Sequence, residues 1–195
     1  MQFPAVLLVL FASVRLATAQ VGELSISGGV SRFGDASLGN TLDQLGNPLA
    51  VTIDNGFRLT FRFTLNTYRF MGHEFGYAYN RSNLIVAGVK SSMPIHQGIY
   101  NFLFYATPEG SRIRPFATGG VQFTSFVPPG ASVYYGTEVT KFGVNYGGGI
   151  KLKVTDIIGL RFDFRQYNTG KPFHLSDQSG RLNQLEASVG AALLF

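Results

Sequence analysis

"FRLTFRFTLN", residues 57–66, alternates without a break: Phe57, Leu59, Phe61, Phe63 and Leu65 are apolar, while Arg58, Thr60, Arg62, Thr64 and Asn66 are polar. Successive side chains of an extended chain point to opposite faces, so this stretch has one greasy face and one hydrophilic face. Wound as a helix it would spread Phe and Arg around the same cylinder, so the spacing predicts a strand.

The same beat recurs along the chain. Leu24, Ile26 and Val30 oppose Glu23, Ser25, Ser27 and Ser31; Phe75, Tyr77 and Tyr79 oppose Glu74 and Asn80. Later, Phe142, Val144, Tyr146, Ile150 and Leu152 oppose Lys141, Asn145, Lys151 and Lys153, and Ile158, Leu160, Phe162 and Phe164 oppose Arg161, Asp163 and Arg165. The stretches Tyr100–Tyr105 and Phe116–Phe126 alternate less regularly. The pattern predicts eight strands, at 22–33, 56–67, 72–82, 95–106, 113–126, 138–154, 157–168 and 183–195.

A soluble sheet would bury the apolar face and expose the polar one. Here the apolar files are unbroken rows of bulky aromatics, and the polar files mix Gly, Ser, Thr and Asn with charges of both signs, as a narrow enclosed bore requires. That is the polarity of a membrane barrel, with lipid in place of a hydrophobic core. The connections agree. About 22 residues (34–55), a tight turn at "RFMG" (69–72), "NLIVAGVKSSMP" (83–94), "TPEGSR" (107–112), "VPPGASVYYGT" (127–137), "TD" (155–156) and "NTGKPFHLSDQSGR" (168–181) alternate long and short. Outer-membrane barrels have long external loops and short periplasmic turns, so both chain ends fall on the periplasmic side. The closing strand "LEASVGAALLF" must pair with the first, because an open sheet edge in hydrocarbon strands its amide groups. Its outward set is Leu185, Ala187, Val189, Ala191, Leu193 and Phe195, and Gln184, Glu186, Ser188 and Gly190 face inward.

Composition fits this picture. The 195 residues include 18 Phe, 9 Tyr and 24 Gly but no Cys, so disulfides and thiol metal sites are excluded. The net charge of +5 is scattered through the strands, where a nucleic-acid binder would gather it on one face. The apolar run Phe3–Val14, followed by Ala17, Thr18 and Ala19, predicts a secretory leader spanning 1–19 and cut before Gln20. Residues 20–195 are then the barrel domain.

The eight strands, and a last strand ending on an aromatic residue after alternating apolar positions, resemble the small outer-membrane β-barrel family that includes the transmembrane part of outer-membrane protein A. The resemblance implies an all-β, eight-stranded, antiparallel up-and-down transmembrane barrel in the bacterial outer membrane. It also implies that Leu193 and Phe195 form an assembly signal for the outer-membrane assembly machinery. The expected partners are outer-membrane lipid and that machinery; the chain is expected to be a monomer without cofactor, metal or nucleic acid.

A bore of eight strands is filled by side chains. The inward charges Arg58, Arg62, Glu74, Lys151, Arg161, Asp163, Arg165 and Glu186 are therefore expected to form a paired network that plugs the lumen, since buried charges persist when paired. Arg62 and Glu74 share a hairpin, Lys151, Arg161 and Asp163 flank the "TD" turn in the same way, and Arg165 and Glu186 lie on neighbouring strands. A narrow pore lined by Arg and Lys is the alternative reading of the same residues. His73 and His96 have no second ligand at metal spacing and are expected at the interfaces. His174 and Ser176 resemble the His-x-Ser pair of the outer-membrane lipid A deacylases, with Glu186 or Asp177 as candidate acid. Alternation places Glu186 inside the barrel, whereas those enzymes work on the lipid-facing wall, and Asp177 stands where the family has Asn. "GVNYGGGIKL" (143–152) is followed by no helix, so its glycines are expected to ease strand curvature rather than cradle phosphate. A non-catalytic envelope barrel, a lipid A deacylase-like hydrolase and a soluble lipocalin-like carrier with reversed faces are the functions these residues allow.

Overall fold

The computed structural model describes residues 21–34, 36–130 and 139–195. The expected leader at 1–19, the cleavage point at Gln20, most of the third long loop and the first residue of the expected strand 138–154 lie outside the described residues.

Among the described residues ten strands form in chain order: β1 Val21–Phe33, β2 Ser37–Leu42, β3 Pro48–Ile53, β4 Gly56–Tyr68, β5 Met71–Val86, β6 Val89–Tyr105, β7 Ile113–Phe126, β8 Val139–Lys153, β9 Ile158–Gly170 and β10 Arg181–Leu194. Eight of them close a ring in the order β1, β10, β9, β8, β7, β6, β5, β4, every neighbour antiparallel. The seam is the expected one, with β1 and β10 in register from Glu23 opposite Leu194 to Phe33 opposite Gln184. Each ring strand thus has two neighbours, which satisfies its backbone groups where no water can.

The facing follows from parity. Phe164 is 59% exposed and the adjacent Arg165 is 0% exposed, and Phe61 and Arg62 differ in the same sense at 45% and 1%. An outward Phe beside a wholly enclosed Arg cannot arise in a reversed, soluble carrier, so that reading is corrected here. The two less regular strands carry apolar residues on both faces: Leu103, Tyr105 and Phe116 point inward and pack together inside the bore.

Two loop expectations are corrected. The first long connection holds a hairpin, β2 and β3, which joins the barrel sheet where Val51, Thr52 and Ile53 pair with Val86, Ile85 and Leu84 of β5. The second connection, 83–94, is strand rather than loop. β5 and β6 continue past the rim and turn at Ala87 and Gly88, whose φ values of 50° and 82° both belong to the left-handed region that a two-residue hairpin turn requires. Pro94, which reads as a strand breaker, sits above the last β6–β7 pair, Ile95 opposite Phe126, where β6 has become an edge and tolerates it. These projections close the external mouth with an apolar core in which Leu38, Val51, Ile53, Met93, Ile95, Phe126 and Leu182 are buried.

Candidate functional site: the barrel interior

Directly beneath the apolar lid lies a layer of amides. Gln97 Nε2 donates to Gln184 Oε1 at 2.9 Å, and Gln184 Nε2 donates to Ser31 Oγ at 2.6 Å and to Asn80 Oδ1 at 3.2 Å. Arg58 Nη1 links this layer to the charges below by donating to Asn80 Oδ1 and Gln97 Oε1.

The charged layer is built around three carboxylates. Glu186 accepts from Arg62 Nη2 at 2.6 Å, Tyr167 OH at 2.6 Å and Ser188 Oγ at 2.5 Å. Arg58 Nε lies 3.0 Å from the same carboxylate, close enough for an ion pair although its N–H is not aligned for a hydrogen bond. Glu74 faces Arg161 Nη2 at 2.5 Å and Arg165 Nη1 at 2.8 Å, with Arg62 Nε farther off at 3.7 Å. Asp163 accepts from Arg161 Nε at 2.6 Å and Arg165 Nη2 at 2.8 Å. Lower down, Lys151 Nζ donates to Glu23 Oε2 at 2.6 Å and to the Tyr105 hydroxyl at 3.1 Å.

All eight charges expected in the lumen are buried there, but their pairing differs in two places. Lys151 is not matched to Asp163 across the "TD" turn. It stands opposite Arg161, a like charge, and Asp163 stands opposite Gly149. Glu23 of β1 resolves the clash, lying 2.6 Å from Lys151 and 3.6 Å from Arg161. Arg165 and Glu186 are direct partners in register, yet neither pairs with the other: Arg165 reaches across the bore to Glu74 of β5 as well as to Asp163, and Glu186 reaches over β1 to Arg58 and Arg62 of β4. In a narrow tube the nearest opposite charge can sit across the lumen, and cross-strand register alone does not show it. Glu23 was visible as the one charge in the polar file of β1.

The glycines of residues 143–152 have a more specific role than curvature. Gly147 and Gly149 face the bore, where a Cβ on Gly147 would lie 2.7 Å from Arg165 Cα and one on Gly149 would lie 2.7 Å from the Phe116 ring. Both let β8 lie close against the β9 backbone, with a Cβ falling 2.3 Å from the Phe164 carbonyl oxygen at Gly147 and 2.1 Å from that of Phe162 at Gly149, and Gly149 also makes room for the inward Phe116 ring.

The hydrolase constellation does not assemble. His174 is exposed, with Nε2 3.3 Å from Lys141 Nζ, and among the described residues it makes no hydrogen bond to Ser176. Ser176 is held through its backbone, which exchanges hydrogen bonds with Asn40 at 2.8 and 3.1 Å. Asp177 accepts from Asn40 Nδ2 at 2.9 Å, and Glu186 is enclosed in the lumen. His73 and His96 sit on the outer wall, bonded to Tyr100 and Tyr77 hydroxyls at 2.9 and 2.6 Å. At the chain end, Leu193 is outward and pairs with Leu24, and Phe195 exchanges backbone hydrogen bonds with Gly22 at 2.7 and 3.0 Å.

Aromatic outer walls around a closed, ionised interior define an integral β-barrel membrane protein. Its sequence carries the assignment further: the chain belongs to the outer membrane protein beta-barrel domain family, whose model matches residues 3–195. Membership places it in the bacterial outer membrane. Similar solved structures are small outer-membrane barrels. Neisserial surface protein A is 12% identical with a TM-score of 0.59, over 91% of this chain and 100% of that one. OprG from Pseudomonas aeruginosa is 16% identical with a TM-score of 0.59, over 89% and 96%. Ail of Yersinia pestis, the attachment invasion locus protein, is 16% identical with a TM-score of 0.51, over 91% and 100%. At these identities the likeness is one of fold. Among curated protein sequences none matches.

Proposed function

We propose that this protein is a non-catalytic outer-membrane scaffold whose lumen is plugged by its own side chains and whose work is done by the external loops or by its contribution to the envelope. One observation carries the proposal: the bore holds three fully enclosed layers in series, apolar, amide and ionic, with Arg58, Arg62, Arg161 and Arg165 each at most 1% exposed. An ion crossing such a bore has to displace paired charges in a low-dielectric space, which is costly. Rigid barrels of this kind present variable connections as interaction surfaces, and here the β2–β3 hairpin and the extended β5–β6 arm continue past the barrel rim. The absence of a joined His174, Ser176 and acid supports the non-catalytic reading. Purified protein in a planar bilayer is expected to pass no steady current; sustained single-channel conductance would overturn the plug and favour the narrow pore.

The proposal extends to partners. Lipid covers the aromatic wall, and the chain acts as a monomer. Leu193 and Phe195 serve as the signal read by the assembly machinery, so deleting Phe195 should lower the yield of heat-modifiable, folded barrel in the outer membrane. An unchanged yield would remove that role.

A further inference from the structure

The enclosed charges do not balance. Among the described residues, Arg58, Arg62, Arg114, Lys151, Arg161 and Arg165 are the buried cations of the bore and Glu23, Glu74, Asp163 and Glu186 its buried anions, an excess of two positive charges; Lys171 is also buried, just past the external end of β9. Five of the cations have a carboxylate within ion-pair distance. Arg114 has none among the described residues. It is 8% exposed, its guanidinium carbon lies 3.6 Å from the centroid of the Tyr105 ring, and its Nε and Nη2 have no hydrogen-bond partner. Those two atoms form one edge of the guanidinium, the edge that binds an oxyanion with two parallel hydrogen bonds. Both atoms are enclosed, with almost no accessible surface, so an oxyanion reaches this edge only after the guanidinium turns over the Tyr105 ring on which it stacks.

Arg114 lines a cavity of about 540 Å³ at the end of the barrel that carries the short turns, the periplasmic end of an outer-membrane barrel. Lys151 lines it too, while Leu194 and Phe195 supply apolar wall. We infer that this vestibule binds a phosphate-class oxyanion, with Arg114, the unpaired cation of its lining, as the bidentate anchor. The group is carried either by a free solute or by a lipid headgroup whose tail follows the apolar wall. Of the three carboxylates lining the cavity, Glu23 is paired with Lys151 at 2.6 Å and Asp156 with Lys153 at 2.8 Å, while Glu109 makes no ion pair with Arg114, so its carboxylate opposes the incoming anion. The site is independent of the plug, because a bore sealed above it leaves the vestibule open from below.

The full mature chain, folded in maltoside micelles that contain no phosphate, tests this. Inorganic phosphate and a short-chain phosphatidylglycerol are titrated separately while the side-chain Nε resonance of Arg114 is followed by NMR. Saturable shifts with inorganic phosphate identify a solute site; shifts with the lipid alone identify a headgroup site. In calorimetry with the ligand that binds, Arg114→Gln should weaken binding at least about tenfold, the loss expected for charge-assisted hydrogen bonds. Glu109→Gln should strengthen it. No saturable shift with either probe overturns the inference, as does wild-type affinity in a correctly folded Arg114→Gln protein. The resonance reports on the unmodified chain, so the result stands even where that variant does not fold.

Discussion

Substituting Glu186 by Gln removes one charge from the centre of the bore and changes little else. Its side chain is 0% exposed and meets Arg58 at 3.0 Å and Arg62 at 2.6 Å, with Tyr167 and Ser188 hydroxyls at 2.6 and 2.5 Å. Gln keeps the shape and one acceptor oxygen but turns an amide N–H toward guanidinium groups, and the lumen's excess positive charge rises by one. Breaking a buried ion pair from one side costs about 3–5 kcal/mol, since the remaining charges stay enclosed. In urea unfolding from phosphatidylcholine vesicles, with a slope of about 2 kcal/mol per molar, the midpoint should fall by roughly 2 M. Arg62→Gln alone should also destabilise. The double variant should lose less than the sum of the two, because partners in one network couple by about 0.5–3 kcal/mol. A Glu186→Gln midpoint within error of wild type, or strict additivity with Arg62→Gln, would refute the argument that the network is an energetic unit.

Phe61→Arg places a charge on the lipid face at mid-strand and should cost about 2–4 kcal/mol in the same unfolding assay; an unchanged midpoint would mean the facing is wrong. Gly149→Val would set a Cβ 2.1 Å from the Phe162 carbonyl oxygen and 2.7 Å from the Phe116 ring, so it should destabilise by about 1–3 kcal/mol, while Gly98→Val, where nothing lies nearby, should not. Asp43 closes the β2–β3 turn by accepting from the Asn47 side chain at 2.9 Å and from the Asn47 and Leu45 amides at 2.8 Å. Those bonds, the Asn47 side chain first, hold its carboxyl below the usual range. A depressed carboxylate stabilises above its unfolded pKa, near pH 4, and loses that contribution as pH falls through the lowered value. The Leu45 and Asn47 amide resonances should therefore move at a pH below the usual aspartate range, and should not titrate in Asp43→Asn.

Side-chain facing was legible in the sequence because it depends on parity alone: once Phe61 faces out, Arg62 must face in, and the rule needs no knowledge of neighbours. That is why all eight expected lumen charges are buried together. Their partners were not legible, since Glu186 bonds over β1 to β4, Arg165 across the bore to β5, and Lys151 to β1, contacts set by closure of the ring. The β2–β3 hairpin escaped for another reason. "GDASLGNTLDQLGNPLAVTIDN" is dense in turn residues, and its six-residue strands are held by pairing to β5 and by burial of Leu38, Val51 and Ile53, which is tertiary support that local propensity does not record. The irregular alternation around Tyr100–Tyr105 was the trace of Leu103 and Tyr105 turning inward.

A single strand shows why the plug and its stability are separable. The inward file of β6 runs from Met93 and Ile95 in the apolar lid, through Gln97 in the amide layer and Asn101 beside the charges, to Leu103 and Tyr105 above the vestibule. Conduction would require a wet path through every layer, and the lid is apolar, so loosening the ionic layer alone cannot supply one. Glu186→Gln, although strongly destabilised, should therefore remain electrically silent in a planar bilayer as long as it is folded. Ile95→Asp, which places a charge in the lid and leaves every ion pair below intact, should raise leak current more than Glu186→Gln does. The opposite ranking would show that the ions, and not the apolar lid, form the seal.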